Sequence, residues 1–294
     1  MRVAFIGVGA IGSPMARRLL PAFDVAVYDP DAARVRELES LGAYAAASAA
    51  DASRGADATI VMVASPAQLE TALFGADGVA TGADEGSTII IMSSVGVDSV
   101  VDAGDQLIAR GLRVVDAPVT GGVARATTGE LTILLGGTPH DIENVEPILQ
   151  SLGTKLASCG TRPGDGQSVK LVNQLLCATH LVAAAEALSL AAGLGLDPEQ
   201  VLSIVETGAA GSFMLSDRGP RMLSDDAPVL SAIDIFVKDA DLVADAARDR
   251  GIPTPLLNAA QDRFHAARES GLGRDDDSSV IRMYRSSTEL ASQA

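Results

Sequence analysis

Cysteine and histidine are scarce in this sequence, and their scarcity excludes two kinds of site. The only cysteines, Cys159 and Cys177, form no CxxC pair and are too few for a disulfide framework in a chain of 294 residues. We expect both to be reduced and partly buried. His140, His180 and His265 lie far apart, without HxxxH or HExxH spacing, so the sequence predicts no protein-bound metal.

Basic residues are also in short supply. Lys and Arg total 22 against 38 Asp and Glu, which gives a net charge of −16 and a pI near 4.5. A nucleic acid or an anionic membrane surface needs a basic face on its partner, so we expect neither as a partner. The net charge does not set the sign inside one small pocket, and an anionic substrate therefore stays open.

A long and purely apolar run is missing as well. The apolar segment near the start is short and soon meets glycines, unlike the core of a secretory signal. The longest apolar stretch, 171–196, contains Asn173, Gln174, His180 and Glu186, which a lipid-facing helix would not readily hold. These features favour a buried helix of a soluble protein, and we expect a cytoplasmic location.

Short apolar strands alternate with helical segments over the first 160 residues. The predicted strands are 3–6, 25–28, 58–63, 87–92, 114–115 and 132–135. This alternation predicts an α/β fold with a Rossmann-type doubly wound sheet. After the breaker cluster 160–166, helical segments dominate, so we expect a Rossmann domain over 1–161 and an all-α domain over 162–294.

A glycine-rich turn follows the first strand and opens the first helix. It reads Gly7-Val8-Gly9-Ala10-Ile11-Gly12, the GxGxxG pattern in the strand–turn–helix context that a dinucleotide site requires. Asp29 ends the second strand, where a carboxylate binds the adenosine ribose and repels a 2′-phosphate. Arg34 is the nearest cation and is expected to be solvated. The sequence thus predicts NAD as the cofactor, with a helix cap as the alternative role of Asp29.

One helical face carries the strongest catalytic candidates. Gly166, Lys170, Asn173 and Cys177 are spaced 4, 3 and 4 residues apart and share that face. Apolar neighbours would disfavour the charged form of Lys170 and suit it to proton transfer. Gly166 is expected to leave room for substrate or nicotinamide.

Four stretches together resemble the β-hydroxyacid dehydrogenase family, which includes 3-hydroxyisobutyrate dehydrogenase, tartronate semialdehyde reductase and L-threonate dehydrogenase. In chain order they are VAFIGVGAIGSPMA at 3–16, DAPVTGG at 116–122, GDGQSVKLVN at 164–173 and IDIFVKDADLVADAA at 233–247. The resemblance covers nearly the whole chain. It implies an enzyme that transfers hydride between a small hydroxy acid and the nicotinamide of NAD.

The same resemblance assigns roles to individual residues. Lys170 is the expected general acid and base, while Asn173 and the loop residues Thr120, Gly121 and Gly122 hold the substrate. Thr120 replaces the serine usual in the family and keeps its hydroxyl. The role of Arg125, downstream in this loop, is left open.

Further cofactor contacts are expected outside the glycine-rich turn. Val63, Ala64 and Ser94 should border the nicotinamide end of the cofactor, and Lys238 should reach the cofactor with Asp239 as its partner. Two alternatives are a helix cap for Ser94 and a surface position for Lys238.

The substrate and the reaction class keep alternatives at this stage. The C-terminal half resembles the L-threonate branch most, but the segment 208–213 departs from it around Ser212. 3-Hydroxyisobutyrate oxidation and tartronate semialdehyde reduction are therefore alternatives. An imine reductase and a non-catalytic dinucleotide sensor are disfavoured by Lys170.

Two expectations concern surfaces. The apolar helix 171–196 carries more apolar surface than one domain obviously covers, which predicts a homodimer or homotetramer. The acidic run Asp275-Asp276-Asp277 is expected to be solvated.

Overall fold

A computed structural model of the chain describes residues 1–284, which fall into two compact units. The first unit is Met1–Lys170, and the second begins at Leu171. Residues 285–294 of the expected C-terminal domain lie outside the described residues. The boundary near residue 161 stays a prediction, since the division by contacts falls inside a long helix.

Nine strands form one sheet in the first unit. They are β1 (Arg2–Ile6), β2 (Asp24–Tyr28), β3 (Tyr44–Ala45), β4 (Ala58–Val61), β5 (Thr88–Ile91), β6 (Arg113–Asp116), β7 (Val119–Thr120), β8 (Leu131–Gly136) and β9 (Gly153–Gly160). The order is β3-β2-β1-β4-β5-β6-β8-β7, and β9 pairs with β8. The first six strands are mutually parallel, and their 3-2-1-4-5-6 order confirms the expected Rossmann-type sheet.

Helices cover both faces of this sheet. They are α1 (Gly12–Leu19), α2 (Ala32–Ser40), α3 (Ala49–Ser53), α4 (Pro66–Phe74), α5 (Val79–Gly82), α6 (Val97–Ile108), α7 (Gly122–Thr128) and α8 (Pro139–Leu152). Strands β4 and β5 are buried along their whole length, as their continuous apolar sequences require of a parallel sheet covered on both sides. The carboxyl ends of β1, β2, β4, β5 and β6 therefore meet along one edge.

The second unit is helical, as expected from the sequence. It contains most of α9 (Asp165–Gly193), then α10 (Pro198–Val205), α11 (Phe213–Met222), α12 (Ile233–Asp249), α13 (Pro255–Ala267), a π-helical turn (Arg268–Leu272) and a 3₁₀ helix (Asp277–Tyr284). Phe236 of α12 stacks on Phe264 of α13 with their ring centroids 5.1 Å apart. This pair lies in the core of the unit.

Several elements were not predicted from the sequence. Helix α11 contains Gly219 and Pro220, two residues that normally end a helix, and it forms because Met214, Leu215 and Met222 are buried in the core. Strand β9 lacks a continuous apolar run and is only half-buried, so its pairing with β8 defines it. In both cases tertiary packing outweighs local preference.

One face of α9 is apolar and exposed over its length in the second unit. The exposed positions on this face are spaced three or four residues apart: the apolar Val172, Leu176, Ala183, Ala187 and Leu190, the polar His180 among them, and Leu194 directly after the helix ends. Leu190 and Leu194 are 62% and 66% exposed. By length and composition alone, α9 is the one helix within residues 1–284 that could cross a membrane.

The prediction that the acidic run is solvated is wrong for two of its three residues. Asp276 and Asp277 are buried, whereas Asp275 forms an exposed pair with Arg282. The Asp277 carboxylate lies 3.1 Å from Arg218 and 3.3 Å from Arg221, both on α11. Burial raises the pKa of Asp277, and the Arg218 guanidinium partly offsets that rise.

Asp276 ties a second segment to the same place. Its carboxylate accepts hydrogen bonds from the backbone N–H of Leu230 at 2.8 Å and from the Ser278 hydroxyl at 2.6 Å. The two aspartates thus join α11, the segment before α12 and the 3₁₀ helix. Three acidic residues in a row predicted a solvated segment. The arginines that pair with Asp276 and Asp277 lie about sixty residues away in the chain, where the local pattern does not show them.

Asp277→Ala should therefore destabilise the protein by about 3 kcal/mol, because it removes the fully buried carboxylate that Arg218 and Arg221 share and leaves them only Asp276 and the more exposed Asp217. Chemical denaturation monitored by circular dichroism measures this change. Asp275→Ala is the matched control and should cost less than about 1 kcal/mol, since its pair is exposed. Equal losses for the two variants would contradict the assignment.

Candidate active site

The glycine-rich turn has the shape that a pyrophosphate needs. Gly7 has a φ of +91°, and a Cβ on it would collide with the carbonyl oxygen of Met62. A Cβ on Gly12 would collide with the carbonyl of Gly7 in the same turn. A Cβ on Gly9 would meet only Arg34, at 3.7 Å. The backbone of Gly9 therefore remains open to a ligand, and the turn fits a dinucleotide.

Asp29 is buried where β2 ends and is held in a fixed orientation. Its carboxylate accepts hydrogen bonds from the backbone N–H of Val8 at 3.0 Å and of Asp31 at 2.9 Å. A carboxylate has further lone pairs, which remain for ribose hydroxyls. The alternative of a helix cap is wrong for Asp29, because Asp31 caps α2 through the N–H of Ala33.

The expectation that Arg34 is simply solvated is wrong. Its guanidinium lies 3.7 Å from the Asp29 carboxylate and 3.4 Å from that of Asp31, while its side chain remains about half exposed. The cation is thus shared between two carboxylates. This pairing weakens its capacity to hold a 2′-phosphate without abolishing it.

The backbone after β4 is fixed by two side chains. Val63 donates its N–H to the Ser93 hydroxyl at 2.7 Å, and Ala64 donates its N–H to the Gln68 side chain at 2.8 Å. Ser93 lies directly after β5, so its hydroxyl links the ends of two neighbouring strands. Val63 and Ala64 consequently lie at the carboxyl edge where the cofactor is expected.

The structure contradicts one expected role of Ser94 and one of Gly166. Ser94 is half-buried after β5, and the cap position of α6 belongs to Gly96, so the helix-cap alternative for Ser94 is wrong. A Cβ on Gly166 would lie 2.9 Å from the Asp116 carboxylate and 3.0 Å from Pro118. Gly166 therefore serves close packing of α9 on the strand ends rather than room for a ligand.

The loop from Thr120 to Gly122 combines a hydroxyl with unusual backbone. Thr120 is half-buried in β7, and Gly121 and Gly122 have φ values of +136° and +67°. The stem of Arg125 lies against Gly121, where a Cβ would approach its carbons to 2.7–2.8 Å. An arginine stem thus borders the expected substrate loop.

Asp116 is the most buried charged group near these residues. Its carboxylate accepts N–H groups of Gly164 at 3.0 Å and Gln167 at 2.9 Å, and the Gln167 side-chain amide at 2.9 Å. Burial raises the pKa of Asp116 to about 6, and the hydrogen bonds from Gln167 and Gly164 limit the rise. The carboxylate thereby fixes the first turn of α9 to the end of β6.

Lys170 follows one turn later on α9 and is buried, with 7% of its surface exposed. Its position is set by the first turn of α9, which Asp116 holds. The first unit thus brings Lys170, the substrate loop, Ser94 and the dinucleotide turn to strand ends of the same sheet.

The second unit holds the other two expected site residues in one chain of contacts. Asn173 donates to the Gln174 side chain at 2.8 Å, Gln174 donates to Asp239, and Asp239 lies 2.8 Å from the Lys238 ammonium. Lys238 is 27% exposed in its side chain. Asp239 is thus the direct partner of Lys238, and Gln174 connects both to Asn173.

Sequence reasoning missed three polar residues that the fold makes central. Ser93, Asp116 and Gln167 are all buried and hydrogen-bonded to one another or to the strand ends. No local sequence signal singled them out, because polar residues at strand ends and after glycines are common in loops. Within residues 1–284, no group of three His, Cys, Asp or Glu side chains could hold a metal.

Comparison with known proteins defines the class. Residues 2–160 match the NAD binding domain of 6-phosphogluconate dehydrogenase, and residues 164–284 match the NAD-binding region of NADP-dependent 3-hydroxyisobutyrate dehydrogenase. The molecule is therefore an NAD(P)-binding oxidoreductase.

Individual relatives cover the whole chain. L-threonate dehydrogenase of Cupriavidus necator is 36% identical over 96% of this chain and 95% of its own. 3-Sulfolactaldehyde reductase of Escherichia coli is 33% identical over 99% and 98%. The crystal structure of 3-hydroxyisobutyrate dehydrogenase from Salmonella typhimurium superposes with a TM-score of 0.89 at 34% identity, covering 96% and 99%. The chain belongs to the β-hydroxyacid dehydrogenase family.

Asp116 gives a pH-dependent prediction. A carboxyl group with a pKa of about 6 in the fold and 3.8 when unfolded contributes stability at low pH that is lost as the pH rises from about 4 to 6. The shift corresponds to about 3 kcal/mol. Between pH 4 and pH 7, wild type should lose about 3 kcal/mol of unfolding free energy relative to Asp116→Asn. Unfolding free energies of both proteins, measured at the two pH values, test this. A pH-independent difference would contradict the raised pKa.

Proposed function

We propose that the enzyme oxidises a small hydroxy acid related to L-threonate or 3-hydroxyisobutyrate, with NAD preferred and Lys170 as the general base. The observation that carries this proposal is the placement of Lys170. It is a buried lysine on the helix that Asp116 and Gln167 attach to strand ends of the same sheet whose first strand leads into a turn that fits a dinucleotide. The names of the relatives in the family give the substrate class.

The chemistry divides between cofactor and protein. When bound, the oxidised dinucleotide supplies the hydride acceptor. Lys170 takes the hydroxyl proton as the carbinol is oxidised, and it returns that proton in the reverse direction. Thr120, Gly121 and Gly122 hold the carboxylate, and Asn173 donates a hydrogen bond to a substrate oxygen.

The exact substrate is tested by a panel of C3 to C6 hydroxy acids with NAD, monitored by absorbance of the reduced cofactor. L-threonate and 3-hydroxyisobutyrate should give the highest kcat/KM. Tartronate semialdehyde with NADH and a cyclic imine with NADPH test the alternatives. Turnover of the imine alone would contradict the proposal.

Lys170→Ala should lower kcat by about 100- to 10,000-fold, because proton transfer stabilises the transition state and not the bound cofactor. The dissociation constant for NAD should barely change. Lys170→Arg should rescue little, since a guanidinium stays protonated. Lys155→Ala, at an exposed lysine of β9, is the matched control and should keep full activity.

A Lys170→Ala enzyme that keeps more than about a tenth of the wild-type kcat would fall short of this range. Proton transfer would then belong to another group, and Lys238 would be the next to test. Asn173→Ala should raise KM and lower kcat, because an orienting donor also acts on bound substrate.

The preference for NAD follows from Asp29. Asp29→Ser with Pro30→Arg should lower the NAD/NADP ratio of kcat/KM by at least about tenfold, since a repulsion is removed and a phosphate partner is added. Asp31→Asn is the control, because it removes a nearby charge and keeps the α2 cap. A wild-type enzyme that prefers NADP by more than tenfold would contradict the assignment.

We also propose that the chain forms at least a dimer through the exposed apolar face of α9. Light scattering at micromolar concentration should give at least twice the chain mass of 30.0 kDa. Leu190→Glu with Leu194→Glu should produce monomers, because charges would replace apolar side chains at the interface. Ile108→Glu, at an exposed apolar position of the first unit, should leave the mass unchanged. A wild-type monomer would contradict the proposal.

A further inference from the structure

The side chain of Gln167 contacts the backbone on both sides of Ser94. Its amide nitrogen donates to the carbonyl of Ser93 at 3.0 Å, and its amide oxygen accepts the N–H of Val95 at 3.2 Å. The residue is 1% exposed. One planar amide therefore fixes the segment after β5 that contains Ser94.

The same residue also holds the helix that carries Lys170. Gln167 donates its backbone N–H to one Asp116 oxygen and its side-chain amide to the other, both at 2.9 Å. Lys170 lies three residues later on α9, at a spacing that places it next to Gln167 on the helix surface. Gln167 therefore links the backbone on both sides of Ser94 to the helix turn that precedes Lys170.

Both the nitrogen and the oxygen of the Gln167 side-chain amide form hydrogen bonds, which explains why a glutamine occupies this position. A glutamate would lose the two donations and place a second carboxylate against Asp116. A methionine has a similar length but no strong hydrogen-bonding group. An asparagine is shorter by one methylene group.

We propose that Gln167 is a positioning residue that sets the placement of Lys170 relative to Ser94. The inference rests on the proposed function, in which Lys170 moves the proton and Ser94 borders the nicotinamide ribose. Asp116 takes part as the anchor of Gln167. If the role of Gln167 were purely structural, its replacement would change the stability and the folded fraction of the protein. It would not change the coupling between cofactor binding and proton transfer.

The first experiment measures cofactor binding without substrate. Dissociation constants of NADH and ADP are determined by calorimetry for wild type, Gln167→Met and the control Ser168→Ala, an exposed neighbour. ADP lacks both the nicotinamide and the ribose that carries it, so its constant should stay within about twofold. NADH binding to Gln167→Met should weaken by about three- to tenfold, the effect of one lost net hydrogen bond. An unchanged ratio of the NADH and ADP dissociation constants would overturn the proposal.

The second experiment is a double-mutant cycle with Lys170→Ala. Gln167→Met should lower kcat about 10- to 100-fold in the wild-type background, as expected for a misplaced reacting group. In the Lys170→Ala background it should cost less than about threefold, because the group it positions is absent. Equal losses in both backgrounds would overturn the proposal. Rates are normalised to sites titrated with ADP, which removes any loss of folded enzyme.

The outcomes separate this inference from the proposed function. If wild type turns over no hydroxy acid, the proposed function fails, and the ratio of the NADH and ADP dissociation constants still decides for or against Gln167. If wild type is active and Gln167→Met keeps the wild-type ratio, only the inference fails. Should Gln167→Met not fold, Gln167→Asn serves in both experiments, with the same expected direction.

Discussion

The buried carboxylate of Asp116 is the interaction on which the candidate active site depends. It lies at the end of β6 and accepts three N–H groups from the beginning of α9, where backbone donors would otherwise lack partners. Burial of a charge is costly, and the donors placed around Asp116 offset that cost only in part, which is why its pKa is raised to about 6. The same contact sets where α9 starts, and hence where Lys170 lies.

The other expected site residues of the first unit also lie at the ends of strands. The parallel order of β1 to β6 places the glycine-rich turn, Asp29, the Val63–Ala64 backbone and Ser94 along one edge. Ser93 joins the ends of β4 and β5, and Gln167 joins β5 to α9. A short network of buried polar side chains thus links the expected cofactor site to the expected proton-transfer group.

The second unit has a separate set of polar contacts. It contains Asn173 and Lys238, which Gln174 and Asp239 connect, and it has its own buried ionic cluster around Asp276 and Asp277. The two aspartates of that cluster are buried, although the sequence there is a run of three acidic residues. Paired charges of this kind contribute specific geometry more than net stability.

The sequence by itself determined the class of fold, the dinucleotide turn and the identity of the main candidates. These features depend on local patterns: apolar strands, the spacing of Gly7, Gly9 and Gly12, and the helical spacing of Lys170 and Asn173. Only the tertiary structure decided the roles of Asp116, Gln167 and Gly166, the burial of Asp277, and the existence of α11 and β9. Each of these depends on groups distant in the chain, and local sequence carries no record of which polar side chain will meet which strand end.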